Sequence, residues 1–249
     1  MSGRLGAWVA GGRTHFAVRS PQAAQVWLCI EDDRLRLARE RDVWSLDLPG
    51  DLSGTPYGYR ADGEWAPPRG LWFDPAKLLV DPQARELDRR FVQSPRLALR
   101  GEDTADIVPR ALVPSSWPDV PPQPPQFQRG GLIYEINVRG FTMLHPDVPP
   151  EQRGTVAALA HPAVIAHLTK LRVSAVELMP IVAWIDERHL PPLGLGNAWG
   201  YNPVALGALD PGLVPGGVVE LAATVAALHA AGALKRAPLS AVDASLPRT

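Results

Sequence analysis

The sequence predicts a chain of two unlike parts, an antiparallel β-sandwich followed by a parallel β/α region, and three observations predict it. Short segments alternating apolar and polar residues recur before residue 100. Prolines then crowd between Pro109 and Pro125, and beyond them the apolar period lengthens to that of a helix set between strands. With 249 residues, 46% of them apolar, the chain has enough material to bury a core.

In the first part the alternating segments are 14–19, 25–30, 43–48 and 57–60. A period of two puts successive side chains on opposite faces, the pattern of half-buried antiparallel strands. Gly11-Gly12, Glu31-Asp32-Asp33, Pro49-Gly50 and Asp62-Gly63 supply the turns between them. Cys29 reads as a small buried hydrophobe on the second of these strands. Of the eight tryptophans, Trp8, Trp27, Trp44, Trp65 and Trp72 fall here. Trp27 and Trp44 are expected in the core. Trp65 and Trp72, in a Pro/Gly-rich loop, are expected to be partly exposed, either packed on a further domain or offering a stacking surface to a sugar ring. The seven prolines from Pro109 to Pro125 exclude helix and central strand and mark a domain boundary.

After the boundary, 132–139 reads as a strand with Glu135 and Asn137 on one face and Tyr134, Ile136 and Val138 on the other. A long loop is expected next. Pro162 is well placed to open a helix in which Val164, Ile165, Leu168 and Leu171 recur at helical spacing. Residues 173–179 form a second apolar strand, stopped by Pro180, so the order is that of a parallel βαβ unit. A second helix spans 218–231, with Leu221, Val225 and Leu228 on one stripe and Gly232 as its stop. A third parallel strand should follow; residues 233–249, with Lys235-Arg236 and no apolar run, do not supply it.

Lys plus Arg number 25 against 26 Asp plus Glu, so no footprint for nucleic acid or an anionic membrane stands out, and a neutral ligand is favoured. The single cysteine excludes an internal disulfide and a Cys-based zinc site. The N-terminus lacks the apolar core of a signal peptide, and no run approaches the ~20 apolar residues of a membrane helix, which predicts a cytoplasmic protein. His15, His145, His161, His167, His189 and His229 show no metal-ligand spacing, so no metal site is expected. No nucleophile elbow, P-loop or dinucleotide fingerprint is present, and Gly194-Leu195-Gly196 reads as a flexible loop.

Two features carry possible chemistry. Glu135 and Glu177 lie in the two parallel strands, and a carboxylate pair is what glycoside hydrolysis needs; lumen-lining polar residues are the stronger reading, because nothing in the sequence makes the strands neighbours. Trp199-Gly200-Tyr201-Asn202 lies beyond the carboxyl end of the second strand, where active-site loops gather in parallel barrels. There it sets two aromatic faces beside an amide. Trp199, Tyr201 and Asn202 are therefore the candidate substrate-binding residues; no catalytic residue is assigned.

At these residues the chain resembles the glycogen-debranching, isoamylase-type branch of the α-amylase family of glycoside hydrolases (family 13). The resemblance is carried, in order, by Tyr57-Gly58-Tyr59-Arg60, the run from Phe73 to Pro82, Ile133-Tyr134-Glu135, Arg139-Gly140-Phe141-Thr142, Leu159-Ala160-His161-Pro162, Val176-Glu177-Leu178-Met179-Pro180 and Trp199-Gly200-Tyr201-Asn202. It covers about residues 5–232. It implies an immunoglobulin-like β-sandwich of the glycogen-binding-module type over 1–105, a Pro-rich linker over 106–130, and over 131–232 the first two β/α units of an incomplete (β/α)8 TIM barrel. It also implies an aberrant tail over 233–249, a premature end left either by a frameshift or by a gapped gene model. The family reaction is hydrolysis of α-1,6-glucosidic branch linkages in glycogen or branched maltodextrin, with no cofactor. Tyr201 matches the tyrosine that packs on the sugar at the cleavage subsite. The family's catalytic carboxylates follow barrel strands four, five and seven, so this stretch is expected to be inactive alone; the alternative is a non-catalytic α-glucan-binding protein acting through the sandwich.

Overall fold

The structure, a computed structural model, describes residues 4–115 and 130–231. Two compact units divide them: one is 4–115 with 183–197 and 202–208, the other 130–182 with 198–201 and 209–231.

The first unit opens with β1 (Gly6–Ala10), β2 (Arg13–Arg19), β3 (Ala23–Ile30), β4 (Asp33–Arg36), β5 (Ala38–Glu40), β6 (Val43–Pro49) and β7 (Pro56–Gly63). A short hairpin, β8 (Trp65–Ala66) and β9 (Leu71–Trp72), and an edge strand, β10 (Ala111–Leu112), follow. The strands form two four-stranded antiparallel sheets, ordered β1-β2-β6-β5 and β10-β7-β3-β4. Because side chains alternate, Phe16 and Val18 of β2, Val26, Leu28 and Ile30 of β3, Trp44 of β6 and Tyr57 and Tyr59 of β7 all reach one shared core. Phe16 meets Tyr57 edge-to-face at 5.0 Å.

The other face of the second sheet is covered too. Cys29 is buried with Leu78 and Val108 under Phe91 and Leu97. The chain returns along β7, where Tyr59 and Leu79 exchange two backbone hydrogen bonds of 2.8 Å each. Gly58 is what permits this approach: a Cβ there would lie 3.0 Å from the Leu78 side chain and 3.1 Å from Leu79 O. The Pro-rich segment expected as a linker lies outside the described residues from 116 to 129. Of its first ten residues, Ala111 and Leu112 join the second sheet, with Ala111 opposite Tyr57, and Val113 is fully buried.

The second unit contains β11 (Leu132–Ile136), α1 (Val138–Thr142), α2 (Pro162–Lys170) and β12 (Val173–Leu178). Of the elements that follow, α3 (Gly217–Ala230) belongs to this unit, whereas β13 (Val182–Trp184) and β14 (Pro203–Leu209) lie almost wholly in the first. β11 and β12 pair in parallel, Tyr134 opposite Val176. α2 starts as the sequence predicts: the His161 ring accepts from the Ala163 amide at 3.3 Å, Pro162 takes the first position, and Val164 and Leu168 turn inward. α3 buries Val218, Leu221, Thr224 and Leu228 and packs on the 3-10 turn Ala157–Ala160.

Three expectations are corrected. The strand expected over 132–139 ends at Ile136, because Asn137 caps α1 by accepting from the Gly140 amide at 2.8 Å, and α1 stands where the loop was expected to begin. Leu171 is no part of the α2 stripe; it closes the helix and is exposed. Between β12 and α3, expected as loop, β13 and β14 pair with each other. Residues 233–249, where the aberrant tail was expected, lie outside the described residues.

Candidate functional site

The loop of residues 197–202 is built from its two ends inward. At the first end the Asn197 amide donates to Asp186 Oδ1 at 2.6 Å, and the Asn197 side chain donates to Glu187 Oε1 at 3.1 Å. At the other, Asn202 Nδ2 donates to Ile185 O at 2.9 Å while Asn202 O accepts from the Ile185 amide at 3.2 Å. Of the three sequence-predicted contact residues, Asn202 is thus a tether of the local backbone.

The middle of the loop has its own anchor in the second unit. Asn137, besides capping α1, donates from Nδ2 to Ala198 O at 2.8 Å. One side chain therefore fixes both the turn after β11 and the residue before Trp199. Gly200 follows with a φ of 78°, which a residue with a Cβ adopts only under strain. The two remaining candidates are presented outward: Trp199 is 65% exposed and Tyr201 61%. Exposed rings on a pinned backbone suit stacking on a flat, weakly polar ligand face.

The parallel register sets Glu135 directly opposite Glu177. That answers the question of adjacency which the sequence left open. Both carboxylates are solvent-exposed, and neighbouring strands lie about 4.8 Å apart, so the pair sits on one face of the sheet.

In the first unit the family-like motifs turn out to be architectural. Arg60 donates to Pro75 O at 3.2 Å, to Ala76 O, and to both oxygens of Asp103 at 2.7 and 2.9 Å. Asp74 accepts from the Ala76 and Gly101 amides, and Lys77 Nζ from its side donates to the carbonyls of Arg96, Leu99 and Glu102. Asp81, fully buried, accepts a 2.6 Å hydrogen bond from the Tyr57 hydroxyl and one from the Gln83 amide. Burial pushes the Asp81 carboxyl up from its usual range, against the pull of those two donors, and pushes the Tyr57 phenol well up as well.

The tryptophans separate by what covers them. Trp44 is buried as expected, whereas Trp27 is only half-buried, with the Arg34 guanidinium 4.0 Å from its ring centre. Trp8, Trp44, Trp65 and Trp184 likewise carry Arg4, Arg39, Arg100 and Arg90 at 5.0, 5.2, 4.5 and 4.5 Å. Among the described residues no guanidinium is placed over Trp72, which is 65% exposed. Sequence reasoning had no means of seeing these caps, since most pair residues from different strands or loops. Among the described residues no group of His, Cys, Asp and Glu is placed to hold a metal ion, and no helix is long and apolar enough to cross a membrane.

Residues 4–84 match carbohydrate-binding module 48, the isoamylase N-terminal domain. Over 220 residues the chain is 43% identical to the glycogen debranching enzyme of Cronobacter sakazakii, a match covering 82% of this chain and 33% of that one. The corresponding enzyme of Yersinia pseudotuberculosis is 42% identical over 247 residues, covering 91% of this chain and 37% of its own length. The chain belongs with the glycogen debranching enzymes. It spans about a third of the length of these curated relatives. Solved structures agree on the fold: the catalytic module of a multi-modular glycogen-degrading pneumococcal virulence factor superposes with a TM-score of 0.68 at 20% identity, covering 93% of this chain and 36% of that one. A pullulanase from an Anoxybacillus species, complexed with maltotetraose, gives 0.65 at 21% identity, covering 93% and 34%.

Proposed function

We propose that this chain is the sugar-facing amino-terminal portion of a debranching hydrolase that cleaves α-1,6-glucosidic linkages in glycogen or branched maltodextrin. The observation that carries the proposal is the loop from Ala198 to Tyr201, pinned through Asn137 and offering two exposed rings. On this reading Tyr201 packs on a glucose ring at the cleavage subsite, Trp199 extends the platform, and Asn202 holds the backbone that carries them. The two sheets of the first unit, β10 included, form an immunoglobulin-like sandwich, and the second unit supplies the opening β/α units of a (β/α)8 barrel. The protein works in the cytoplasm.

The carboxylates used for cleavage in this family follow later barrel strands, so on this reading residues 131–232 contact glucan and do not themselves supply the cleaving groups. Glu135 and Glu177 do not substitute for them: they project side by side from one sheet face, whereas hydrolysis requires carboxylates flanking the scissile bond. Incubation with branched glucan is expected to release no reducing ends. Turnover that survives repurification and disappears in the Glu135→Gln, Glu177→Gln double variant would overturn this part.

The second reading, a non-catalytic α-glucan-binding protein acting through the first unit, is favoured by the match of residues 4–84 to a carbohydrate-binding module. Affinity electrophoresis in glycogen-loaded gels tests it; unretarded migration of the folded chain counts against binding.

A further inference from the structure

We infer that the first unit contacts α-glucan at the cavity beside Trp72, one pyranose ring lying against the exposed indole. This rests on the reading that the first unit binds glucan, and it names the site.

The argument begins with elimination. Each other described tryptophan of this unit carries a guanidinium on its ring, so stacking a sugar there would displace a cation that is already placed. Trp72 ends the β8–β9 hairpin, opposite Trp65 in the register, and meets it edge-to-face at 5.6 Å and 85°. Trp65 is itself held by Arg100 at 4.5 Å. The Trp72 ring therefore has a fixed aromatic neighbour and is still 65% exposed, and that neighbour lowers the rotamer entropy lost when a ligand stacks on it.

Next to the ring is a cavity of about 260 Å³ lined by Gln22, Leu71, Trp72, Phe73, Lys77 and Leu79 among others. That is just below the range of about 300–1,000 Å³ typical of small-molecule sites, and suits one ring of a longer chain. Its charged groups are already committed. Lys77 gives its ammonium protons to three carbonyls, and both oxygens of the neighbouring Asp74 accept backbone amides. What remains for a ligand is an aromatic face, aliphatic walls and the exposed Gln22 carboxamide, which donates and accepts. That set favours a neutral, polyhydroxylated ring over an anion or a cation.

The test uses the full chain in affinity electrophoresis through gels containing glycogen, with maltoheptaose as soluble competitor. Trp72→Ala is expected to raise the apparent Kd about tenfold, the loss of roughly 60 Å² of apolar contact. Gln22→Ala is expected to raise it about threefold, Trp72→Phe to restore part of the loss, and Leu144→Ala, a change at an exposed position outside the site, to leave it unaltered. Near-UV circular dichroism confirms that each variant is folded. If the wild-type chain is retarded and folded Trp72→Ala and Gln22→Ala are retarded equally, binding lies elsewhere and this inference alone fails. A folded wild-type chain that is not retarded defeats it together with the reading it rests on.

Discussion

The two units spend their residues differently. In the first, two sheets close on one core, and the second sheet is covered again on its outer face by the segment from Leu78 to Val108. Even the charged residues of the family-like motifs, Arg60, Asp74, Lys77 and Asp81, are consumed in fixing loops. In the second, the parallel sheet has two strands, and Leu132 and Ile133 of β11 remain exposed. The difference separates recognition of a family from recognition of a function: the motifs that identify the first unit describe its architecture, whereas Trp72, the indole left uncovered among its described residues, lies beside them.

Core truncation should break this comparison most sharply. Phe16→Ala removes a fully buried ring from the core of the first unit and is expected to cost about 3–5 kcal/mol in urea unfolding. Leu168→Ala, at the buried face of α2, is expected to cost about 2–5 kcal/mol. Hydrogen exchange should localise each loss to the unit that holds the residue; a loss spread equally over both units would mean that they unfold as one.

Asn137→Ala sharpens the comparison from the other side. Losing the cap should cost about 1 kcal/mol. Because the same side chain holds Ala198, limited proteolysis should cut residues 198–201 faster while the first unit keeps its protection.

Asp81 supplies a pH test. A carboxyl whose pKa is raised by folding contributes stability that is full below its unfolded value, near 3.8, and is lost as pH rises through its folded value. The Tm deficit of Asp81→Asn against wild type should therefore be largest in acid and shrink as pH climbs; a deficit that grows with pH would show that the donors to Asp81 outweigh its burial. The smallest effect is expected at Ile133→Lys, on the exposed strand face. Its stability should stay within about 0.5 kcal/mol of wild type, while sedimentation velocity should show less self-association.

The legible parts were those in which local pattern and tertiary environment agree. β2, β3, β6 and β7 alternate because one face of each meets the core, and α2 was readable from Pro162 together with its buried stripe. β14 was not. Its sequence, Pro-Val-Ala-Leu-Gly-Ala-Leu, opens on proline and does not alternate, and Gly207 is there to admit Ala84 O, which a Cβ would approach to 3.0 Å. α1 is too short to show a period, so only its cap announced it, and Asn137 reads equally well as a strand residue. In the candidate site, Trp199 and Tyr201 were visible as an aromatic pair in a loop. The structural use of Asn202 depends on Ile185, seventeen positions away, and no local pattern records that pairing.

The unequal burial of the indoles also sorts them as fluorophores. Burial shields Trp44 and Trp184, and Trp8, Trp27 and Trp65 are half-buried, while Trp72 and Trp199 are each 65% exposed and most accessible to a dissolved quencher. Among the described residues, the emission that an uncharged quencher such as acrylamide extinguishes first thus comes from one residue in each unit. Two single-tryptophan substitutions assign it, so the chain carries its own optical reporters at the two surfaces proposed to contact glucan.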